Sequence, residues 1–103
     1  MKIMLACQAG MSTSMVVVRM QQAAKKQGKD YEIWAVDQSE IANELGKFDV
    51  LLLGPQVRHI LRRVKGEVGD QAVVDIIHPM SYGRCDGAAI LKQAEELLKG
   101  GIK

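Results

Sequence analysis

Cysteine is scarce in this chain of 103 residues, which carries only Cys7 and Cys85. Two thiols are too few for a disulfide framework or a four-ligand metal site, so each is read as an individual thiol and no metal is expected. Aromatic residues are also few: one Trp, two Tyr and one Phe leave little on which bases could stack, and 14 basic residues against 12 acidic ones give a net charge of only +2. Nucleic acid is therefore not an expected partner. Long apolar runs are missing. Val50-Leu51-Leu52-Leu53 falls far short of the roughly 20 residues a bilayer requires, so no direct membrane insertion is expected. The N-terminal stretch Met1-Lys2-Ile3-Met4-Leu5-Ala6 is shorter than a secretory apolar segment of about 7–15 residues, and a cytoplasmic location is expected. There is no repeat, low-complexity tract or Pro/Ser-rich linker. The loose end is Gly100-Gly101-Ile102-Lys103, and one domain filling residues 1–103 is expected.

What the chain does have is an ordinary globular composition, 48% hydrophobic and 25% charged, which supports a real core. Four short runs rich in branched residues read as strands: Lys2 to Ala6, Tyr31 to Val36, Asp49 to Leu53 and Ala72 to Ile77. Three are nearly continuous, as in strands buried on both faces, whereas the Tyr31 run partly alternates, as in an edge strand. Between them lie helical patterns. Val57, Ile60, Leu61, Val64 and Val68 form one stripe, with Arg58, Arg62, Arg63 and Lys65 on the solvated side. Ile90, Leu91, Ala94, Leu97 and Leu98 form another over about Gly87 to Lys99. Ser12 to Gln27 reads as a helix by length and by Met15, Met20, Ala23 and Ala24, although Val16-Val17-Val18 is a β-branched trio. A short helix over about Ser39 to Leu45 is capped by Asp37, with Glu40 completing a capping box and Gly46 stopping it. The order βαβαβαβα predicts an α/β fold: a small four-stranded parallel sheet with helices on both faces, a flavodoxin-like three-layer sandwich. Ligands of such sheets bind beyond the carboxyl ends of the strands, where strand order reverses.

The exit of the first strand is Cys7-Gln8-Ala9-Gly10-Met11-Ser12-Thr13-Ser14. Gly10 permits a tight turn, consecutive N–H groups can converge on one oxyanion, and a helix N-terminus adds about half a positive charge. Ser12, Thr13 and Ser14 supply hydroxyl donors. Such a setting favours thiolate, the nucleophilic form of cysteine, so Cys7 is placed to attack and carry a charged group. Taken singly, each residue fits a plain structural role, a core thiol and helix-capping hydroxyls. Together they form a phosphate site centred on a cysteine. The loop has no G-x-x-x-x-G-K-[ST], and no strand is followed by G-x-G-x-x-G, so neither ATP nor NAD is expected. A low-molecular-weight cysteine phosphatase or arsenate reductase is the alternative enzyme. Its phosphatase form has a cysteine, five residues and an arginine, and here the arginine position is Thr13, which removes the main charge clamp for hydrolysis. A flavodoxin-like flavin-binding module is the alternative without catalysis, against which the loop cysteine argues.

Three segments in order, Cys7-x-Ala9-Gly10-Met11-Ser12-Thr13-Ser14, Leu52-Leu53-Gly54-Pro55-Gln56 and Tyr82-Gly83-x-x-Asp86-Gly87, span nearly the whole chain. On them it resembles the enzyme IIB component of the bacterial phosphoenolpyruvate-dependent sugar phosphotransferase system, lactose/cellobiose (diacetylchitobiose) branch. The resemblance implies a phosphoryl relay. A phosphohistidine of enzyme IIA donates to Cys7, and the resulting phosphocysteine passes the group to a sugar of the β-glucoside or disaccharide class held by the membrane enzyme IIC. It implies that backbone amides from about Gln8 to Thr13 hold the phosphoryl oxygens, aided by the hydroxyls of Ser12, Thr13 and Ser14, with no cofactor. A monomer is expected.

Tyr82 and Gly83 are expected in the loop after the fourth strand, on the Cys7 side, where they could shape a docking surface. Tyr82 could equally pack on Pro79 and Met80. Gln56 is read chiefly as turn chemistry after Gly54-Pro55. His78 stands where the resembled family often has Asp or Ser, and His59 is expected on the exposed side of its helix. Cys85 departs from the family and reads as a small residue near the start of the last helix.

Overall fold

The computed structural model describes residues 1–8 and 11–101. Four strands, β1 (Lys2–Cys7), β2 (Glu32–Asp37), β3 (Val50–Leu53) and β4 (Val73–Ile76), pair in parallel in the order β2-β1-β3-β4. The register sets Ile3 beside Ile33 and Val50, and Val50 beside Val73. β2 is an edge strand, as its partial alternation suggests, but β4, expected to be buried on both faces, is the other edge and only Val74 of its residues is buried. Four α-helices accompany them: α1 (Met11–Lys26), α2 (Leu61–Val68), α3 (Pro79–Gly83) and α4 (Gly87–Gly101).

The two-residue period of the strands divides the core into two layers. Ile3, Leu5, Ile33, Val50 and Leu52 face one side, where they meet Val16, Val17, Met20 and Ala24 of α1 and Ile90, Leu91 and Ala94 of α4. Met4, Ala6, Leu51, Leu53 and Val74 face the other side and meet Ile41, Phe48, Val57, Ile60, Val64 and Val68. Burial on both faces explains why β1 and β3 read as continuous apolar runs. The β-branched Val16-Val17-Val18 is helical because Val16, Val17, Met20 and Ala24 fall on the face that covers the sheet, whereas Val18 is exposed. Burial outweighs the small helix-propensity penalty of valine, a few tenths of a kcal/mol to about 0.7 kcal/mol per residue.

Three expectations change in detail. The single helix expected through Val57 to Val68 is a 3-10 segment, Pro55–Ile60, followed by α2, with a kink where Val57 leaves helical geometry (φ −115°, ψ 22°). Pro55 opens that segment and Val57 N–H closes a tight turn on the Gly54 carbonyl at 3.0 Å, while the stripe Val57, Ile60, Val64 and Val68 stays buried. The short helix after β2 is also 3-10, Gln38–Glu44. Asp37 caps it, accepting from Ser39 N–H at 3.0 Å, and Glu40 accepts from Asn43 Nδ2 at 2.9 Å where a capping box would turn it back. Gly46 ends this stretch at φ +85°. Gly100 and Gly101, expected as a loose end, belong to α4; Ile102 and Lys103 lie outside the described residues.

Side chains cap the β4 edge at one position. Val73 and Ile77 donate their N–H groups to Asp49 and Leu53 of the β3 side, so the backbone of Ile76 faces outward. Its N–H is bound by Asp75 Oδ1 at 2.7 Å and its carbonyl by Gln93 Nε2 at 2.8 Å, while Gln93 Oε1 accepts from His78 N–H at 3.1 Å. The Gln93 amide thus stands in for one residue of a further strand, which blunts an edge open to another chain. Gln93→Leu is expected to cost about 1 kcal/mol in urea unfolding and to increase self-association in sedimentation velocity, because it frees that edge.

Tyr31, Glu95 and Lys29 tie the start of β2 to α4. Tyr31 donates to Glu95 Oε2 at 2.6 Å, and Lys29 Nζ pairs with the same oxygen. The hydrogen bond to Glu95, followed by burial and the Glu95 charge, raises Tyr31 to about 12; the bonds from Lys29 and Tyr31 hold Glu95 below its usual value. A raised folded value stabilises below the unfolded one, so the Tyr31 contribution is complete below about pH 10 and is lost as pH rises through about 12. The Glu95 contribution has the opposite sense: present above the usual carboxylate value, it is lost as pH falls through the lowered one. Absorbance titration of the phenolates should show one tyrosine ionising near 12, and Tyr31→Phe should remove that step.

Candidate functional site

Order β2-β1-β3-β4 reverses direction between β1 and β3: the chain leaves β1 toward one edge and returns on its other side as β3. The crevice beyond their carboxyl ends is the position at which such sheets take ligands. Cys7 closes β1 there and is 1% exposed, and Gly54 follows β3, its N–H bound to the Ala6 carbonyl at 2.9 Å. Gly54 packs closely on the site: a Cβ there would lie 2.6 Å from Gln56 Oε1 and 3.2 Å from Cys7 Cβ, so the Gln56 amide would have to move aside.

α1 begins at Met11, so its first turn presents N–H groups without intrahelical acceptors next to the end of β1. Thr13 in that turn is fully buried, and its Oγ1 donates to Cys7 Sγ at 2.6 Å. The same Thr13 oxygen lies 3.3 Å from the Tyr82 hydroxyl, and Gln56 Nε2 donates to the Tyr82 oxygen at 2.9 Å. Four residues from four elements therefore converge: Cys7 from β1, Thr13 from α1, Gln56 from the segment after β3, and Tyr82 from α3.

Of the other expected site residues, Gln8 and Ser14 are exposed. Ala9 and Gly10, and the side chains of Met11 and Ser12, lie outside the described residues. Tyr82 and Gly83 are not in a loop. They end α3, which Pro79 starts with its preset φ and missing N–H. Tyr82 packs against the α1–α4 layer of the core, so its ring is anchored and its hydroxyl reaches the site. Gln56, read from sequence mainly as part of a turn, has its side chain in the network; the available signal was its place two residues beyond Gly54, at the exit of the strand beside β1. Cys85 is a half-buried free thiol in a left-handed conformation (φ 49°), between α3 and the Asp86 cap of α4. His59 and His78 are exposed. Among the described residues, no helix is long and apolar enough to cross a membrane.

A parallel four-stranded sandwich with a buried cysteine at its switch point defines a small flavodoxin-like protein with a thiol centre. A solution structure of the cellobiose-specific phosphotransferase IIB component from Borrelia burgdorferi superposes with a TM-score of 0.79 at 33% identity, over 96% of this chain and 92% of that one. Residues 2–93 match the family described as "PTS system, Lactose/Cellobiose specific IIB subunit", and the chain belongs to that family. The galactose-specific EIIB component of Lactococcus lactis subsp. cremoris is 46% identical over 93% of this chain and 94% of its own length. The oligo-beta-mannoside-specific EIIB component of Bacillus subtilis is 38% identical over 94% of this chain and 95% of its own. The protein is thus a IIB component of a sugar phosphotransferase system. Such components work with IIA and IIC in a phosphoryl relay that ends on sugar.

Proposed function

We propose that Cys7 is the phosphoryl carrier of this relay. It accepts the group from a phosphohistidine of enzyme IIA and delivers it to a sugar hydroxyl bound by enzyme IIC. The observation that carries the reading is the buried Cys7 Sγ held by the Thr13 hydroxyl at 2.6 Å, at the N-terminus of α1. In the first step a sulfur lone pair forms the S–P bond as the P–N bond breaks; the P–N electron pair passes to the imidazole nitrogen, which takes up the proton that the Cys7 thiol gives up. In the second, the sugar oxygen forms an O–P bond, the S–P pair returns to sulfur, and the hydroxyl proton leaves to water. Both steps depend mainly on positioning and on stabilising charge.

The N–H groups from about Gln8 to Thr13, in a loop that includes Ala9, Gly10, Met11 and Ser12, take the phosphoryl oxygens, with the hydroxyls of Ser12, Thr13 and Ser14 assisting. The protein acts as a monomer, one IIB domain over residues 1–103 in the cytoplasm. The sugar is of the β-glucoside or disaccharide class, chosen chiefly by IIC; named relatives of similar length differ in sugar, galactose in one and oligo-beta-mannoside in another.

The test is incubation with phosphoenolpyruvate, enzyme I, the phosphorylatable histidine carrier and enzyme IIA, followed by intact mass and peptide mapping. One added phosphoryl group on Cys7 is expected. No added mass, or label elsewhere, overturns the assignment, and steady release of inorganic phosphate from an aryl phosphate would favour a phosphatase.

A further inference from the structure

The hydrogen bonds that reach Cys7 can be followed donor by donor. Gln56 Nε2 can only donate, so the Tyr82 oxygen accepts from it at 2.9 Å. Thr13 has one hydroxyl proton and gives it to Cys7 Sγ at 2.6 Å. The remaining contact, 3.3 Å between the Tyr82 and Thr13 oxygens, must then run from Tyr82 to Thr13. Each oxygen accepts once and donates once. The donor chain Gln56, Tyr82, Thr13 ends on sulfur, and donors aligned in series polarise one another. No element makes this chain alone, because it crosses from the segment after β3 to α3, then α1, then β1.

We propose that Tyr82 and Gln56 are positioning residues for phosphoryl transfer, holding the Thr13 hydroxyl as a donor aimed at Cys7 Sγ. The inference rests on the reading of Cys7 as carrier and gives that site two further members. Sulfur bears negative charge twice in the cycle, as the attacking thiolate and as the leaving group when the S–P electron pair returns to it. A donor fixed on Sγ favours both states. The Tyr82–Thr13 link is the longest of the three, and it strengthens as charge on sulfur draws the Thr13 proton, since hydrogen bonds at resting sites tighten as charge develops. By donating to the Tyr82 oxygen, Gln56 favours the hydroxyl orientation that points the Tyr82 proton at Thr13, and the bare Cα of Gly54 makes room for the Gln56 amide.

The experiment follows alkylation of Cys7 by iodoacetamide across pH, with peptide mass spectrometry separating it from Cys85, beside the rate of phosphoryl acceptance from enzyme IIA. Tyr82→Phe is expected to slow Cys7 alkylation near neutral pH by about three- to tenfold, the worth of one hydrogen bond, and to move its pH profile upward. A merely structural role gives the opposite sign, because loosening the site exposes a buried thiol and speeds alkylation. The Tyr82→Phe effect should vanish in a Thr13→Val background and persist in Thr13→Ser, which keeps the hydroxyl. Should Thr13→Val fail to fold, Gln56→Leu supplies the same cycle, its effect disappearing once Tyr82 is Phe. Unchanged alkylation in Tyr82→Phe, or an effect that survives loss of the Thr13 hydroxyl, overturns the proposal. Failure of the carrier reading looks different: no phosphoryl mass appears on Cys7, whatever the alkylation profiles.

Discussion

Replacing Cys7 by serine is expected to lower phosphoryl acceptance from enzyme IIA by at least about a thousandfold while leaving the fold intact, in line with the loss of an essential nucleophile elsewhere. The substitution changes one atom at a position that is 1% exposed and already takes a hydrogen bond from Thr13, so packing has little to relax. Reactivity changes greatly. At neutral pH a serine hydroxyl has almost no ionised fraction, whereas a thiol has a useful one and is intrinsically a strong nucleophile. Any phosphoserine that does form is a dead end, because an alkoxide is a far poorer leaving group than a thiolate. The measurement is radiolabel transfer with time, alongside urea unfolding of both chains. Equal labelling of Cys7→Ser would remove Cys7 from the relay.

The second large effect is structural. Gly87→Ala is expected to cost about 3 kcal/mol, the upper end for overpacking, read as a lower urea midpoint with little change in slope. A Cβ at Gly87 would lie 2.3 Å from the Arg19 carbonyl carbon, 2.4 Å from its oxygen and 2.6 Å from the Met20 nitrogen, where carbon contacts normally sit at about 3.5–4.0 Å. The obstacle is main chain inside α1, which cannot rotate aside as a side chain would. α4 must back away from α1, and the layer formed by Val17, Met20, Ala24, Ile90, Leu91 and Ala94 opens. That figure is a large share of the 5–15 kcal/mol typical of a domain. Gly66 is the control. It lies exposed within α2 with nothing within 4 Å of its would-be Cβ, so Gly66→Ala should stabilise by about 0.5–1 kcal/mol through helix propensity.

These two glycines show where reading the chain reaches its limit. Both are visible in the sequence, Gly87 in a recognisable motif and Gly66 inside a helical stripe, yet nothing local says which one another helix touches. The same holds at the site. Cys7, the hydroxyls behind it and their place after the first strand were legible because a strand, a small-residue loop and a helix N-terminus are consecutive in the chain. The contact of Thr13 with Cys7 spans six residues, within reach of that local reasoning. Tyr82 and Gln56 are 69 and 26 residues from the partners they meet. Their roles as a docking group and a turn residue were the readings available without the sheet order.

Local chemistry alone determined the alternation of strand and helix, the two-sided burial of β1 and β3, and the cysteine at the exit of the first strand. Side-chain periodicity and turn residues act over a few positions, and a sequence displays them directly. Tertiary structure decided what depends on distant segments meeting. It made the valine trio helical by giving it a sheet to cover, and it set the order β2-β1-β3-β4 that brings Gly54 beside Cys7. It supplied Gln93 to cap an edge at one position, and it turned Gln56, Tyr82 and Thr13 into one donor chain. Each of these rests on burial or on hydrogen-bond direction between elements, quantities that exist only once the layers have packed.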